Sequence, residues 1–229
     1  MRQQLSRSLA ASSDRRSVLR LMGAGTLAAL LLASPLGGLA PAKAAPDAAA
    51  AQKVADHFSR VRTMSGEFVQ FGPRGEQTGG KFYMERPGKI RFDYEGKNGY
   101  RVTSDGTSVV IFNDKMRTAD LYPLSKTPLK LLLDSRIDLS GNKLKSVKQE
   151  ADLLTITLSD RSVFGNATIT MMFDPNSYEL KQWTVTDAQG KDTTVMIFNT
   201  QEGVNLNSSL FAINYNQVDQ MNSKKSSNR

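Results

Sequence analysis

Apolar positions along this chain change their period once. From Ala48 to Arg62 they fall at Ala51, Val54, Ala55, Phe58 and Val61, the spacing of an amphipathic helix. Asp47 stands where it can cap that helix, and Pro46 ends the incoming coil. From Met64 onward the period is two. Candidate strands are Gly66–Phe71, Gly80–Glu85, Lys89–Tyr94, Tyr100–Ser104, Ser108–Phe112 and Arg117–Leu121. Turns rich in Gly, Pro, Asn and Asp separate them, among them Pro87-Gly88, Asp105-Gly106 and Asn113-Asp114. The meander is interrupted where Pro123–Pro128 leads into Leu129–Asp134. Thr127 as cap with Pro128 at the first helical position predicts a short, leucine-rich helix. Strands resume at Lys143–Lys148, Leu153–Leu158, Ala167–Phe173, Tyr178–Thr186 and Thr193–Asn199, with turns such as Gly165-Asn166 and Asp187–Gly190. Leu210–Tyr215 reads as a short strand or turn, and Asn222–Arg229 as a disordered polar tail.

The clearest strand is Lys89–Tyr94. Ile90, Phe92 and Tyr94 point one way, and Lys89, Arg91 and Asp93 the other. Arg86 precedes the turn, at the head of the apolar face. A guanidinium there must find acceptors or stay in water, because burying an unpaired charge is too costly. The strand therefore reads as part of a curved sheet whose apolar face is an open hollow, with Arg86 fastening a helical lid over it. Large soft side chains recur in the strands: Phe68, Phe82, Met84, Ile90, Phe92, Tyr94, Met171, Phe173, Trp183, Met196 and Phe198. By residue type alone they favour a closed core over a binding wall, since methionine fills core gaps as readily as it adapts to a mobile ligand.

Composition narrows the function. The 229 residues contain no cysteine, which excludes disulfides, thiolate sites and a lipid-modified cysteine. The formal charge of +8 is concentrated at the start. Residues 1–44 hold Arg2, Arg7, Arg15, Arg16, Arg20 and Lys43 against Asp14. Removing these six bases and one acid from 30 and 22 leaves 24 and 21, a net of +3. That is little reason to expect a polyanion, and nucleic acid is not expected as a partner. The same segment reads as an export signal. Asp14-Arg15-Arg16-Ser17-Val18-Leu19-Arg20 resembles a twin-arginine signal, the apolar run Leu21–Ala33 follows, and Ala42-Lys43-Ala44 offers a cleavage site. A general secretory signal with incidental arginines is the alternative. Either places the product in the periplasm.

Motifs for catalysis fail one by one. Gly75–Lys81 has the glycine and lysine spacing of a phosphate loop, but Phe82 stands where a hydroxyl is needed and strand alternation follows instead of a helix. No Gly-x-Ser-x-Gly elbow is present. One histidine, His57, cannot build a metal cage, and beside Phe58 it reads as a boundary residue. Asp93, Glu95, Asp105 and Asp114 lie near turns, and nothing singles out a catalytic pair. Basic and aromatic residues alternate to opposite faces in Lys89–Phe92, unlike the shared face of a single-strand nucleic-acid binder. The chain reads as no enzyme.

The order of motifs resembles the LolA family of periplasmic carriers of outer-membrane lipoproteins. The resemblance rests on the first helix, Gly66–Gln70, Glu85-Arg86-Pro87-Gly88 with Ile90 and Phe92, Ser104-Asp105-Gly106, the Pro128-Leu129 helix and Asp187–Gly190. It implies a mainly β, α+β fold: an incomplete antiparallel β-barrel of about eleven strands, with helices as a lid over a hydrophobic cavity. The carrier domain is then residues 45–221. The resemblance makes Arg86 the lid latch. It places Ile90 and Phe92 in the cavity wall; by residue type Phe68, Phe82, Met84, Tyr94, Met171, Phe173 and Trp183 then read as further wall, and Leu129, Leu132 and Leu133 as the lid. It implies a monomer with no cofactor or metal. Its cargo would be triacylated lipoproteins, received from an inner-membrane ABC-type release complex and passed to an outer-membrane acceptor. A sensor of lipid or protein on the same fold, or a carrier of another hydrophobic molecule, are the alternatives.

Overall fold

The computed structural model describes residues 46–96, 99–140, 143–159 and 167–227. The export segment 1–44 and the Gly165-Asn166 turn lie outside them. Helix α1 (Pro46–Arg60) comes first. Six strands follow: β1 (Thr63–Phe71), β2 (Gln77–Glu85), β3 (Lys89–Tyr94), β4 (Tyr100–Asp105), β5 (Ser108–Asn113) and β6 (Thr118–Pro123). A 3₁₀ turn (Leu124–Lys126) and helix α2 (Leu129–Leu133) interrupt them. Then come β7 (Leu144–Gln149), β8 (Leu154–Ser159), β9 (Thr168–Phe173), β10 (Leu180–Thr186) and β11 (Asp192–Glu202). A second 3₁₀ turn (Ser208–Phe211) leads into helix α3 (Tyr215–Ser227).

All eleven strands form one antiparallel sheet in the order β6-β5-β4-β3-β2-β1-β11-β10-β9-β8-β7. β6 and β7 are its two edges and do not pair with each other, so the barrel is incomplete. Phe92 on β3 and Trp183 on β10 stand four strands apart, yet their rings lie 6.2 Å from each other. In a flat sheet four strand spacings amount to roughly 19 Å, so the sheet must curl to bring its inner faces together.

The concave side holds the main core. α1 contributes Ala51, Val54, Ala55 and Phe58, and α2 contributes Leu131, Leu132 and Leu133. α1 lies against β7 and β8, and Phe58 meets Phe173 edge-on at 5.6 Å. The sheet shifts register at three places, the first where β1 meets β11 between Ser65 and Glu67. Gly66 sits there, and a Cβ on it would come within 2.9 Å of both the Phe198 carbonyl oxygen and the Phe82 ring.

The structure departs from the sequence reading at four places. Residues 222–227 continue α3 instead of forming a disordered tail. Val218 and Met221, spaced three apart, dock α3 on Val110, Phe112 and Ala119 of the convex face. Leu210 lies in a 3₁₀ turn, and Tyr215 begins the helix. The Thr127 hydroxyl donates back to the Leu124 carbonyl and does not cap α2. Met196 and Phe198 are exposed, because β11 turns Val195 and Ile197 inward and these two outward.

Candidate functional site

Arg86 ends the β2–β3 hairpin and is 3% exposed. Its Nε and Nη2 donate to the Val61 carbonyl at 3.0 and 2.5 Å. Its Nη1 donates to the Asp134 carbonyl at 3.5 Å. Val61 follows the last residue of α1, and Asp134 follows the last residue of α2. Both acceptors belong to helix ends, where carbonyls lack helical partners and the dipole is negative. One guanidinium therefore joins two helices to the sheet. Its carbon lies 4.0 Å from the centroid of Phe58, a cation–π contact in a desolvated setting. Burial pulls Arg86 down from its ordinary value to about 10, against the opposing effect of the Glu202 carboxylate. It remains charged at neutral pH.

The backbone of the hairpin makes the same connections. The Arg86 amide donates to the Arg62 carbonyl at 2.8 Å, and the Gly88 amide to the Leu133 carbonyl at 2.8 Å. The buried Ser104 hydroxyl donates to the Gly88 carbonyl at 2.7 Å. Gly88 has φ +83°, and a Cβ there would lie 2.7 Å from the Gly106 Cα. Only glycine meets both demands.

Beside the lid lies a hollow of about 310 Å³. Phe92, Tyr94, Trp183 and Val195 line it from the sheet together with Ile111 and Tyr122, and Thr127, Pro128 and Leu129 line it from the start of α2. The hollow falls at the lower end of the range for small-molecule pockets. Within it the Tyr94 hydroxyl donates to Gln70 Oε1 at 2.7 Å. Burial pushes the Tyr94 phenol up to about 12. A neutral, satisfied phenol adds no charge to an apolar wall.

The predicted site residues divide into two sets. Phe92, Tyr94, Trp183 and Leu129 line the hollow. Phe68, Phe82, Met84, Ile90, Met171 and Phe173 lie in the continuous core with Phe58, Leu132 and Leu133. Phe68 nonetheless joins the two sets, meeting Phe92 and Tyr94 edge-on at 5.0 Å each. Sequence reasoning missed Gln70, Val102, Ile111, Tyr122, Val185 and Val195 as lining. The hairpin register carried the signal for two of them: Phe92 pairs with Val102, which pairs with Ile111. Once Phe92 faces inward, so must they.

His57 is half-buried, and its Nε2 is buried without a hydrogen-bond partner. Gly75–Lys81, the rejected phosphate-loop spacing, forms the β1–β2 turn and the start of β2. Among the described residues, no three of His, Cys, Asp or Glu are grouped to hold a metal ion. No helix among them is long and apolar enough to cross a membrane.

The family described as outer membrane lipoprotein carrier protein LolA matches residues 59–214. A protein of Chromohalobacter salexigens called outer-membrane lipoprotein carrier protein is 28% identical over 131 residues, 53% of this chain and 62% of that one. A protein of the same name from Methylococcus capsulatus is 26% identical over 161 residues, 66% of this chain and 76% of that one. A solved LolA superfamily protein from Nitrosomonas europaea superposes with a TM-score of 0.40 at 11% identity, covering 72% of this chain and 98% of that one.

Proposed function

Since this chain belongs to the LolA family of outer-membrane lipoprotein carriers, we propose that it takes up the acyl chains of lipoproteins released from the inner membrane and delivers them across the periplasm to the outer membrane. The observation that carries this reading is an apolar hollow beside a short helix whose C-terminal end is held by the Gly88 amide of the hairpin that the buried Arg86 anchors. Its partners are an inner-membrane ABC-type release complex and an outer-membrane acceptor. The work is non-covalent, and no residue is assigned a chemical step.

Energetics explain why a carrier of this kind needs a latch. Each buried methylene contributes about 0.8 kcal/mol. Complete burial of three long acyl chains amounts to tens of kcal/mol, which leaves no practical release rate. A closed form that fills its own interior competes with cargo and weakens binding by the free energy of opening. Leu132 and Leu133 fill that role, each fully buried when the lid is down. Opening uncovers the six core side chains predicted as wall and enlarges the hollow.

The test uses the mature protein and a synthetic triacylated lipopeptide. Trp183 is the only tryptophan and lines the hollow, so its emission reports loading. The expected result is a one-to-one complex by native mass spectrometry and an emission change that the peptide without its acyl chains does not produce. A response identical for both peptides would sink the proposal. Delivery is tested by depleting the protein in the parent bacterium, where many lipoproteins should remain at the inner membrane.

A further inference from the structure

The two edges of the open barrel differ. β7 carries Lys145 and Lys148 and lies against α1, which is how natural sheets guard an edge. β6 carries no lysine, and exposes Leu121 at 39% and Tyr122 at 46%. The Leu124 amide donates to the Thr107 carbonyl, and the β5–β6 register continues without a shift. In an antiparallel pair, hydrogen-bonded and non-bonded positions alternate. Tyr122 and Asp120 therefore turn their backbone groups toward β5, and Leu121 and Ala119 turn theirs outward. No hydrogen bond connects those outward groups to another described residue. Pro123, without an N–H, ends the available stretch. α3 packs along β6 and buries Ala119, so of the outward backbone groups those of Leu121 alone are accessible.

We propose that the β6 edge receives the extended backbone of the cargo polypeptide just after its acylated residue, as an added strand. This inference rests on the carrier reading above. Tyr122 lines the hollow, and the next residue toward the strand start, Leu121, holds the outward donor and acceptor. A polypeptide leaving the hollow with its lipids inside emerges beside that edge. Pairing through main-chain groups is indifferent to side chains. It therefore suits a carrier whose cargoes share a lipid and no sequence.

The experiment compares a triacylated decapeptide with two copies of it, N-methylated at one or the other alternating set of residues. Only one set faces the edge. Methylation of that set should weaken binding about 30-fold, equivalent to about 2 kcal/mol, and methylation of the other set should not. Leu121→Pro removes the outward N–H without touching a β5 bond. It should abolish the difference between the peptides while palmitate affinity stays unchanged. If that variant does not fold, the peptide series on the unaltered protein still decides. Equal affinity for all three lipopeptides, with palmitate bound normally, overturns the edge and leaves the carrier reading standing. Loss of both lipopeptide and palmitate binding overturns the carrier reading and the edge with it. A dimer of the unloaded protein that Leu121→Pro dissolves assigns the edge to a second copy and overturns the proposal.

Discussion

Replacing Arg86 with leucine removes the only side-chain tie among the described residues between the hairpin and both helix ends. Its magnitude follows from the geometry. Nε and Nη2 share one acceptor, Val61 O, so together they count for less than two independent charged hydrogen bonds of about 1.5–3 kcal/mol each. The 3.5 Å contact to Asp134 adds little. Stacking on Phe58 adds up to about 2 kcal/mol in a desolvated site. Against these stands the burial of the charge. Lowering the group by burial to about 10 corresponds to roughly 3 kcal/mol at 1.36 kcal/mol for each pH unit, a penalty that leucine does not carry. Leucine in turn leaves the Val61 carbonyl unpartnered, which costs about 1–3 kcal/mol. The balance is a closed form weakened by about 2 kcal/mol, or roughly 30-fold. Apparent affinity for an acyl probe scales with the open fraction, so it should tighten by up to about 30-fold. Trp183 emission during a palmitate titration measures this. Hydrogen exchange at the Gly88 amide, which bonds Leu133 on the lid, should accelerate by the same factor. Arg86→Lys keeps the charge and loses the fork of donors, so it should behave like the leucine variant. The closed form holds the Arg86 proton less tightly than the open one. Any pH dependence from this group therefore lies above about pH 9, where closure strengthens as pH rises. Unchanged probe affinity together with unchanged Gly88 exchange would refute the latch.

Two further predictions concern the hairpin turn and the lid. Gly88→Ala combines a left-handed backbone with a Cβ 2.7 Å from Gly106 Cα, whereas Gly190 at φ +76° has nothing within 4 Å. Strain alone costs about 1–2 kcal/mol, so Gly190→Ala should lose that much in urea denaturation and Gly88→Ala distinctly more; equal losses would mean that the Gly88–Gly106 approach contributes nothing. Leu132→Ala empties a fully buried site and should cost about 2–5 kcal/mol of stability. Leu129→Ala, lining the hollow, should cost less than Leu132→Ala and tighten the binding of long-chain probes; a probe affinity that does not respond would place the acyl site elsewhere.

Periodicity and turn chemistry together were enough to find every strand; where alternation fails, as in the apolar run Val109–Phe112 of β5, the bounding turns Asp105-Gly106 and Asn113-Asp114 marked the element. Arg86 was legible for a different reason: a charge at the head of an apolar face has few tolerable surroundings. The identity of its acceptors was not legible from local spacing, since Val61 is 25 residues away and Asp134 is 48. Met196 and Phe198 were misplaced by judging residue type without parity. Val195 pairs with Trp183 and Gln70, and both neighbours face the hollow, so Val195 must face inward and Met196 outward. α3 escaped notice because its docking face is just Val218 and Met221, too few apolar residues for a helical period to stand out.

The division of the predicted wall into a lined part and a packed part bears on how a carrier of this kind works. A permanently open hollow large enough for three acyl chains exposes its apolar wall to water whenever it is empty, and an exposed patch of that size invites aggregation. A permanently sealed core takes no cargo. Here Phe68 belongs to the packed set and still touches Phe92 and Tyr94 of the lined set, so the two are one surface, partly covered by α1 and α2. On the proposed function, lifting the lid would exchange leucine contacts for acyl contacts on that surface, which is nearly neutral in apolar area. The free energy of switching is then set by the groups that do not exchange like for like, and the largest of these is the buried guanidinium. A polar tether is suited to that role: water replaces its hydrogen bonds once it is released, so its net strength is a few kcal/mol. That is small against acyl burial, yet large enough to change the fraction of open molecules by one to two orders of magnitude.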